Sequence, residues 1–341
     1  MKFRARTKAI GLIVAAGLLA AELLPAHRAL AAEERPQSEV LAERRVLYES
    51  VEAITGVPWY VLAAIDQYDR TLRRTRKDEA VERAFIDIHY PRRVWAGPTN
   101  PDPDDDSLVS IQFFRGVGLD GDGDGRADIR NDIDVLYTRA QYVLAHGTSA
   151  EDLKQGLWDF YQNSRSVQRV MQFAKMYRHF DTLNLDSKHV FPLPLRSDYS
   201  YRSTWGDRRS YGGYRIHEGT DIFAGYGVPV RSTCYGIVEV KGWNRFGGWR
   251  IGIRDINNVY HYYAHLSGFD KKLNVGDIVE PGQIIAWVGS SGYGKPGTQG
   301  KFPPHLHYGM YRDNGHREWS FDPYPLLKRW EREEAAQRRK K

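Results

Sequence analysis

The chain is poor in cysteine. Cys234 is the single one among 341 residues, which excludes an internal disulfide. It lies in the β-branched stretch P-V-R-S-T-C-Y-G-I-V-E-V and reads as a small buried residue. Long apolar runs are scarce too: the one at Ile10–Ala21 is too short for a comfortable membrane span. No repeat of fixed period is present, so a solenoid or propeller is excluded. The body of the chain also lacks charge of one sign. The net charge of +6 comes from the ends, because residues 1–31 and Lys328–Lys341 each carry +4 and residues 32–327 sum to −2. No basic stripe with interleaved aromatics exists, so nucleic acid is not an expected partner.

What is present begins with a targeting pattern. Lys2, Arg4, Arg6 and Lys8 precede the apolar run, and Ala29-Leu30-Ala31 is a small-x-small cleavage signature. Residues 1–31 therefore read as a signal peptide, or as an N-terminal anchor if left uncleaved. Either way the rest of the chain is expected outside the cytoplasm, exported or wall-associated, touching membrane only through that segment.

Two textures follow, predicting an α+β protein of two domains. Residues 38–180 read as helical. Val40, Leu41, Leu47, Val51 and Ile54 fall near one face, Pro58 suits the first turn of a second helix, and Asp132–His146 is amphipathic up to Gly147. Thr148-Ser149-Ala150-Glu151 offers an N-cap to a helix continuing over Leu153–Tyr177. Residues 181–190 read as a linker. Beyond it, G-I-V-E-V, W-R-I-G-I-R-D, V-Y-H-Y-Y-A-H-L and I-I-A-W-V-G are short β-branched runs between Gly-rich turns, an all-β pattern over 191–327. Residues 328–341 read as a basic tail, a solvated helix end.

The β half carries the chemistry. R-I-H-E-G-T-D places His217 four residues before Asp221 in a Gly-containing loop entering a strand. P-P-H-L-H-Y places His305 and His307 two apart, so in a strand they face one pocket. His261 and His265 are four apart and in a regular strand would share a side; His265, nearer the strand end, is the better site candidate. Imidazole and carboxylate groups at such spacings suit a zinc ion with three protein ligands and one open position.

These segments, with V-G-D-I-V-E-P-G-Q-I-I-A-W-V-G-S-S-G, resemble the lysostaphin/LytM-type zinc endopeptidases over about residues 190–327. The resemblance implies an antiparallel duplicated hybrid motif acting on the peptides of peptidoglycan. It implies zinc ligands at His217, Asp221 and His307, and catalytic histidines at His305 and His265. In that scheme zinc lowers the pKa of water from about 15.7 to about 7. His305 is the expected general base and His265 the expected oxyanion donor.

The helical half has two motifs. Asp120, Asp122, Asp124 and Asp128, with Gly125, stand at calcium-loop positions, but Asn131 occupies the place of the closing bidentate Glu. G-V-P-W-Y-V-L-A-A-I-D-Q-Y-D is similar to lytic transglycosylase domains, where a Glu is the catalytic acid; here Asp69 stands there, followed by Arg70-Thr71. The expectation is a lysozyme-like scaffold that binds glycan, with Asp69 a vestigial acid. The domain pairing also resembles sporulation-associated L-alanyl-D-glutamate endopeptidases, which act in cell wall or spore cortex remodelling. Two other readings remain open: a non-enzymatic peptidoglycan-binding or hydrolase-activating scaffold, and a bifunctional peptidase and transglycosylase.

Overall fold

Among the described residues, seven α-helices come first along the chain and a sheet follows. The computed structural model describes residues 36–76, 85–209 and 215–340, so the expected signal segment lies outside the described residues. From Pro36 onward the chain forms one compact unit. Among the described residues no helix is long and apolar enough to cross a membrane.

Helices α1 (Gln37–Thr55) and α2 (Trp59–Arg76) are joined through Gly56, whose φ of 77° closes α1. Pro58 starts α2 as its carbonyl accepts from Val61 and Leu62. In α1 the inward residues are Tyr48 and Val51, while Ile54 is exposed, so the buried stripe lies to one side of the predicted one. Short helices α3 (Arg92–Trp95) and α4 (Leu108–Phe113) lead to α5 (Asp132–Val143). Ser149 caps α6 (Ala150–Tyr161) in a reciprocal capping box with Asp152. The helix expected to run on to Tyr177 breaks: Gln162 turns left-handed, and Asn163 caps α7 (Ser164–Phe180) by accepting from the amides of Arg165 and Ser166.

The sheet is antiparallel throughout. Its central strands are β4 (Thr220–Ala224), β11 (His305–Asp313), β8 (Tyr260–Phe269), β7 (Gly248–Asp255) and β6 (Gly236–Asn244), in that order. Short strands β1 (Tyr199–Tyr201) and β9 (Ile278–Val279) flank them, β10 (Ile284–Val288) joins β8 to β5 (Pro229–Arg231), and β12 (Glu318–Phe321) extends β11. A two-stranded sheet pairs β2 (Arg208–Arg209) with β3 (Arg215–Ile216). One face packs a core of Ile222, Ile251, Ile253, Tyr263, Leu306 and Tyr308, and Cys234 lies buried beside it.

The two textures do not make separate bodies. Ile256, Tyr235 and Ile278 of the β half pack into the helical core. Arg169 of α7 reaches Glu239, Asp313 and Glu318, and Arg254 binds the same two glutamates. The presumed linker contributes buried Leu185 and Val190. The presumed solvated tail is helix α8 (Tyr324–Arg339), with Leu327 and Trp330 fully inside and Glu334 buried against Arg231.

Candidate metal centre

Three adjacent strands bring the predicted residues together. In an antiparallel ladder, directly opposed residues share a face. His307 on β11 is opposed to Asp221 on β4 and to Ala264 on β8. His305, two residues before His307, points the same way, and His217 arrives from the turn after β3. Gly219 in that turn leaves no room for a side chain: a Cβ there would lie 2.7 Å from the His307 ring.

The donor atoms converge. His217 Nε2 lies 2.9 Å from His307 Nδ1 and 3.0 Å from Asp221 Oδ1, and His307 Nδ1 is 3.0 Å from the same oxygen. A tetrahedral zinc at its usual bond lengths spaces its ligands about 3.3 Å apart. The triangle is a few tenths of an ångström tighter, and slight opening admits the ion. The surroundings fit it as well. His217 Nδ1 donates to the Thr204 carbonyl at 2.8 Å, which turns Nε2 inward in the manner of a metal-ligating histidine. All three residues are buried, and a buried carboxylate needs a cation or several donors. Burial pushes the Asp221 carboxyl up, but the hydrogen bonds and charges of His217, His307 and His305 outweigh it and hold it well below the usual range.

Two more imidazoles border this triangle. His305 Nδ1 donates to the Pro303 carbonyl at 2.9 Å, and its Nε2 is 3.7 Å from Asp221 Oδ1. His265 Nδ1 donates to the Ser291 carbonyl at 2.7 Å, and the rings of His265 and His305 are 4.8 Å apart. A carbonyl can only accept, so both rings carry their proton on Nδ1 and turn Nε2 away from that carbonyl. Burial, then the neighbouring His305 and His307, push His265 well below the ordinary imidazole range.

His265 reaches this face by a route that spacing did not reveal. His261 is opposed to Met310 and Tyr263 to Tyr308, both on the core face. Strict alternation would send His265 there as well. Instead His265 takes a left-handed backbone, φ 61°, where the β7–β8 register slips. The bulge reverses its side. His261 stays in the core, bonded to Asp255 Oδ2 at 3.0 Å and the Tyr308 hydroxyl at 2.7 Å. The expected shared side for the two histidines is therefore corrected.

A match to Peptidase family M23 covers residues 215–320. The chain is 58% identical over 312 residues to an L-Ala–D-Glu endopeptidase of Bacillus subtilis (strain 168), spanning 92% of this chain and 95% of that protein. The chain belongs to peptidase family M23. As an M23 enzyme it is a zinc metalloendopeptidase. It is also 37% identical over 115 residues to lysostaphin of Staphylococcus staphylolyticus, 33% of this chain and 22% of that one. The solved antimicrobial peptidase lysostaphin from Staphylococcus simulans matches with 31% identity and a TM-score of 0.34, over 42% of this chain and 55% of its own.

Around the metal centre of this M23 enzyme lies a cavity of about 320 Å³, whose walls include Arg215, Arg250, Tyr262 and Tyr293 beside His217, His265 and His307. Sequence reasoning missed those arginines and tyrosines, which no motif marks. It also missed Thr204, Ser291 and Pro303, which act through backbone carbonyls.

The other predicted positions lie elsewhere. Asp120 and Asp122 come together with Asp134, a residue not predicted. Asp124 and Asp128 turn to their own loop, accepting from the amides of Arg126 and Arg130. Asp69 is clamped: its carboxylate accepts from Tyr161 at 2.8 Å and from Arg139 at 3.2 Å. Burial raises the Asp69 pKa, and Arg139 and Tyr161 oppose that rise.

Proposed function

We propose that this enzyme is exported and cuts the L-Ala–D-Glu bond of peptidoglycan stem peptides, in remodelling of the cell wall or spore cortex. The observation that carries the bond assignment is the 58% identity to an L-Ala–D-Glu endopeptidase along nearly the whole chain. His217, Asp221 and His307 would hold the zinc. When bound, zinc supplies Lewis acidity, which acidifies water and polarises a carbonyl. The protein's own groups do the proton work. His305 Nε2 takes one proton of the attacking water and returns it to the leaving amine. His265, kept neutral by burial, offers an Nε2 lone pair rather than an N–H. We therefore assign it to accept the water's second O–H and fix its orientation, because oxyanion donation would require its charged form. The test is incubation of the protein with purified peptidoglycan, with and without a zinc chelator, followed by mass spectrometry. New D-Glu amino termini that vanish with chelator support the reading; new termini at another bond overturn the bond assignment.

The helical half serves in this reading as a lysozyme-like scaffold that positions glycan. The clamped Asp69 supports positioning over cleavage, since Tyr161 engages its Oδ1 and Arg139 its Oδ2, and a general acid must turn a carboxyl oxygen to the glycosidic bond. Anhydro-muramyl products in the same digest would overturn this.

The Asp120, Asp122 and Asp134 carboxylates form the place for calcium, with Asp134 supplying the closing carboxylate that Asn131 cannot. Burial pushes Asp134 up to about 6. Calcium should then raise the melting temperature at pH 7.5 and much less at pH 5, where Asp134 is protonated. An unchanged melting temperature at pH 7.5 would remove calcium from the account.

A further inference from the structure

The cavity beside the metal centre carries more positive charge than its own acids neutralise. On its face β7 presents Arg250, Gly252 and Arg254 in alternation. Arg254 is consumed by Glu239 and Glu318. Arg250, four residues earlier, has no carboxylate within 4.0 Å among the described residues, and its Nε is shielded from solvent without a hydrogen-bond partner. It sits 5.9 Å from the Tyr262 ring, and that ring is 5.8 Å from the ring of His307. Arg215, in β3 just before the turn that delivers His217, is likewise free of any carboxylate partner among the described residues. Its guanidinium donates to the Tyr293 hydroxyl at 2.6 Å, and Tyr293 stacks on His265 at 6.1 Å. Two acids also line the cavity. Glu318 is already held by Arg254, and Glu218 accepts from the Tyr311 hydroxyl at 3.3 Å.

Partly buried guanidinium groups without a counter-charge are costly unless an anion arrives. The substrate can supply one. Glutamate has two carboxyl groups, and the stem peptide continues through only one of them. The other remains a free carboxylate on the residue whose amine is released, within a few bonds of the scissile carbonyl. An arginine fork suits a carboxylate through paired N–H donors.

We propose that Arg250, assisted by Arg215, binds the free carboxylate of the D-Glu on the leaving side of the scissile bond and thereby sets specificity for an acidic residue there. This rests on the L-Ala–D-Glu reading above. A substrate with glycine at that position offers no such anion.

The test compares two synthetic peptides with the full chain. One is an N-acylated L-Ala–D-Glu–L-Lys; its twin carries a carboxamide in place of the free glutamyl carboxylate. The wild type should favour the carboxylate in kcat/KM by about ten- to a hundredfold, the range of a charge-assisted hydrogen bond. Arg250→Gln should lower the carboxylate rate to near that of the carboxamide and leave the carboxamide rate nearly unchanged. Arg250→Lys should recover part of the preference, and zinc content should stay constant throughout. Arg245→Gln, an exposed charge outside the cavity lining, should behave as wild type. Equal cleavage of both peptides by the wild type overturns the inference and leaves the bond assignment standing, a readout that needs no variant to fold. Preference that survives both Arg250→Gln and Arg215→Gln also overturns it. Failure to cut either peptide, with peptidoglycan cut at another bond, removes the bond assignment and this inference together.

Discussion

At the scale of single residues, His265 joins strain to position. A non-glycine residue at φ 61° costs on the order of 1 kcal/mol, and the bulge it creates turns the imidazole from the core to the metal face. His265→Gly should therefore be more stable than His265→Ala by about 1 kcal/mol in denaturant melts, with both variants inactive. Removing either helper imidazole should cost about 10²–10⁴-fold in kcat, the usual range for a positioned acid or base. Zinc in His305→Ala and His265→Ala should remain near one per chain. His217→Ala should instead lose the metal together with activity, which elemental analysis separates cleanly.

At the scale of elements, α8 is a bolt on the sheet rather than a loose end. Trp330 is 2% exposed, and the Glu334 carboxylate takes Arg231 Nη2 at 2.9 Å and the Phe191 amide at 3.3 Å. Trp330→Ala should cost about 3–5 kcal/mol, as for other buried large-to-small changes, and should lower the melting temperature by many degrees. The charged residues on its outer side, Arg329 and Glu333, can change with little effect. Among the strands, β11 carries both His305 and His307, and its pairing with β4 on one side and β8 on the other brings Asp221 and His265 to them.

At the scale of the whole molecule, the helical and β halves are coupled through charge as well as apolar contact. Arg169 is 5% exposed and Arg254 1%, and between them they pair with Glu239, Glu318 and Asp313 at the junction. Deleting one member of a buried network strands the others, so Arg169→Met should cost about 3–5 kcal/mol. With the junction intact, calorimetry should record a single transition for both halves. In Arg169→Met the helical half should melt at a lower temperature than the sheet. A single unshifted transition in that variant would show that the apolar contacts of Ile256, Tyr235 and Ile278 suffice to hold the halves together.

The sequence by itself determined the chemistry and the local elements. A two-residue spacing puts His305 and His307 on one face of any strand, and Ser149 with Asp152 caps a helix through atoms only three residues apart. Such relations depend on bonds close along the chain, so they can be read without the fold. Only the tertiary structure decided the rest. The side of His265 depends on a register slip against β7, which strand periodicity cannot locate. The meeting of Asp134 with Asp120 and Asp122 depends on the way α5 packs on the loop. Whether an arginine is spent or available depends on acids far away in the chain: Arg254 meets Glu318 across 64 residues, and Arg250 meets no carboxylate among the described residues. Charges so far apart in sequence are matched only when the sheet closes, because their Coulomb partners are chosen by distance in space.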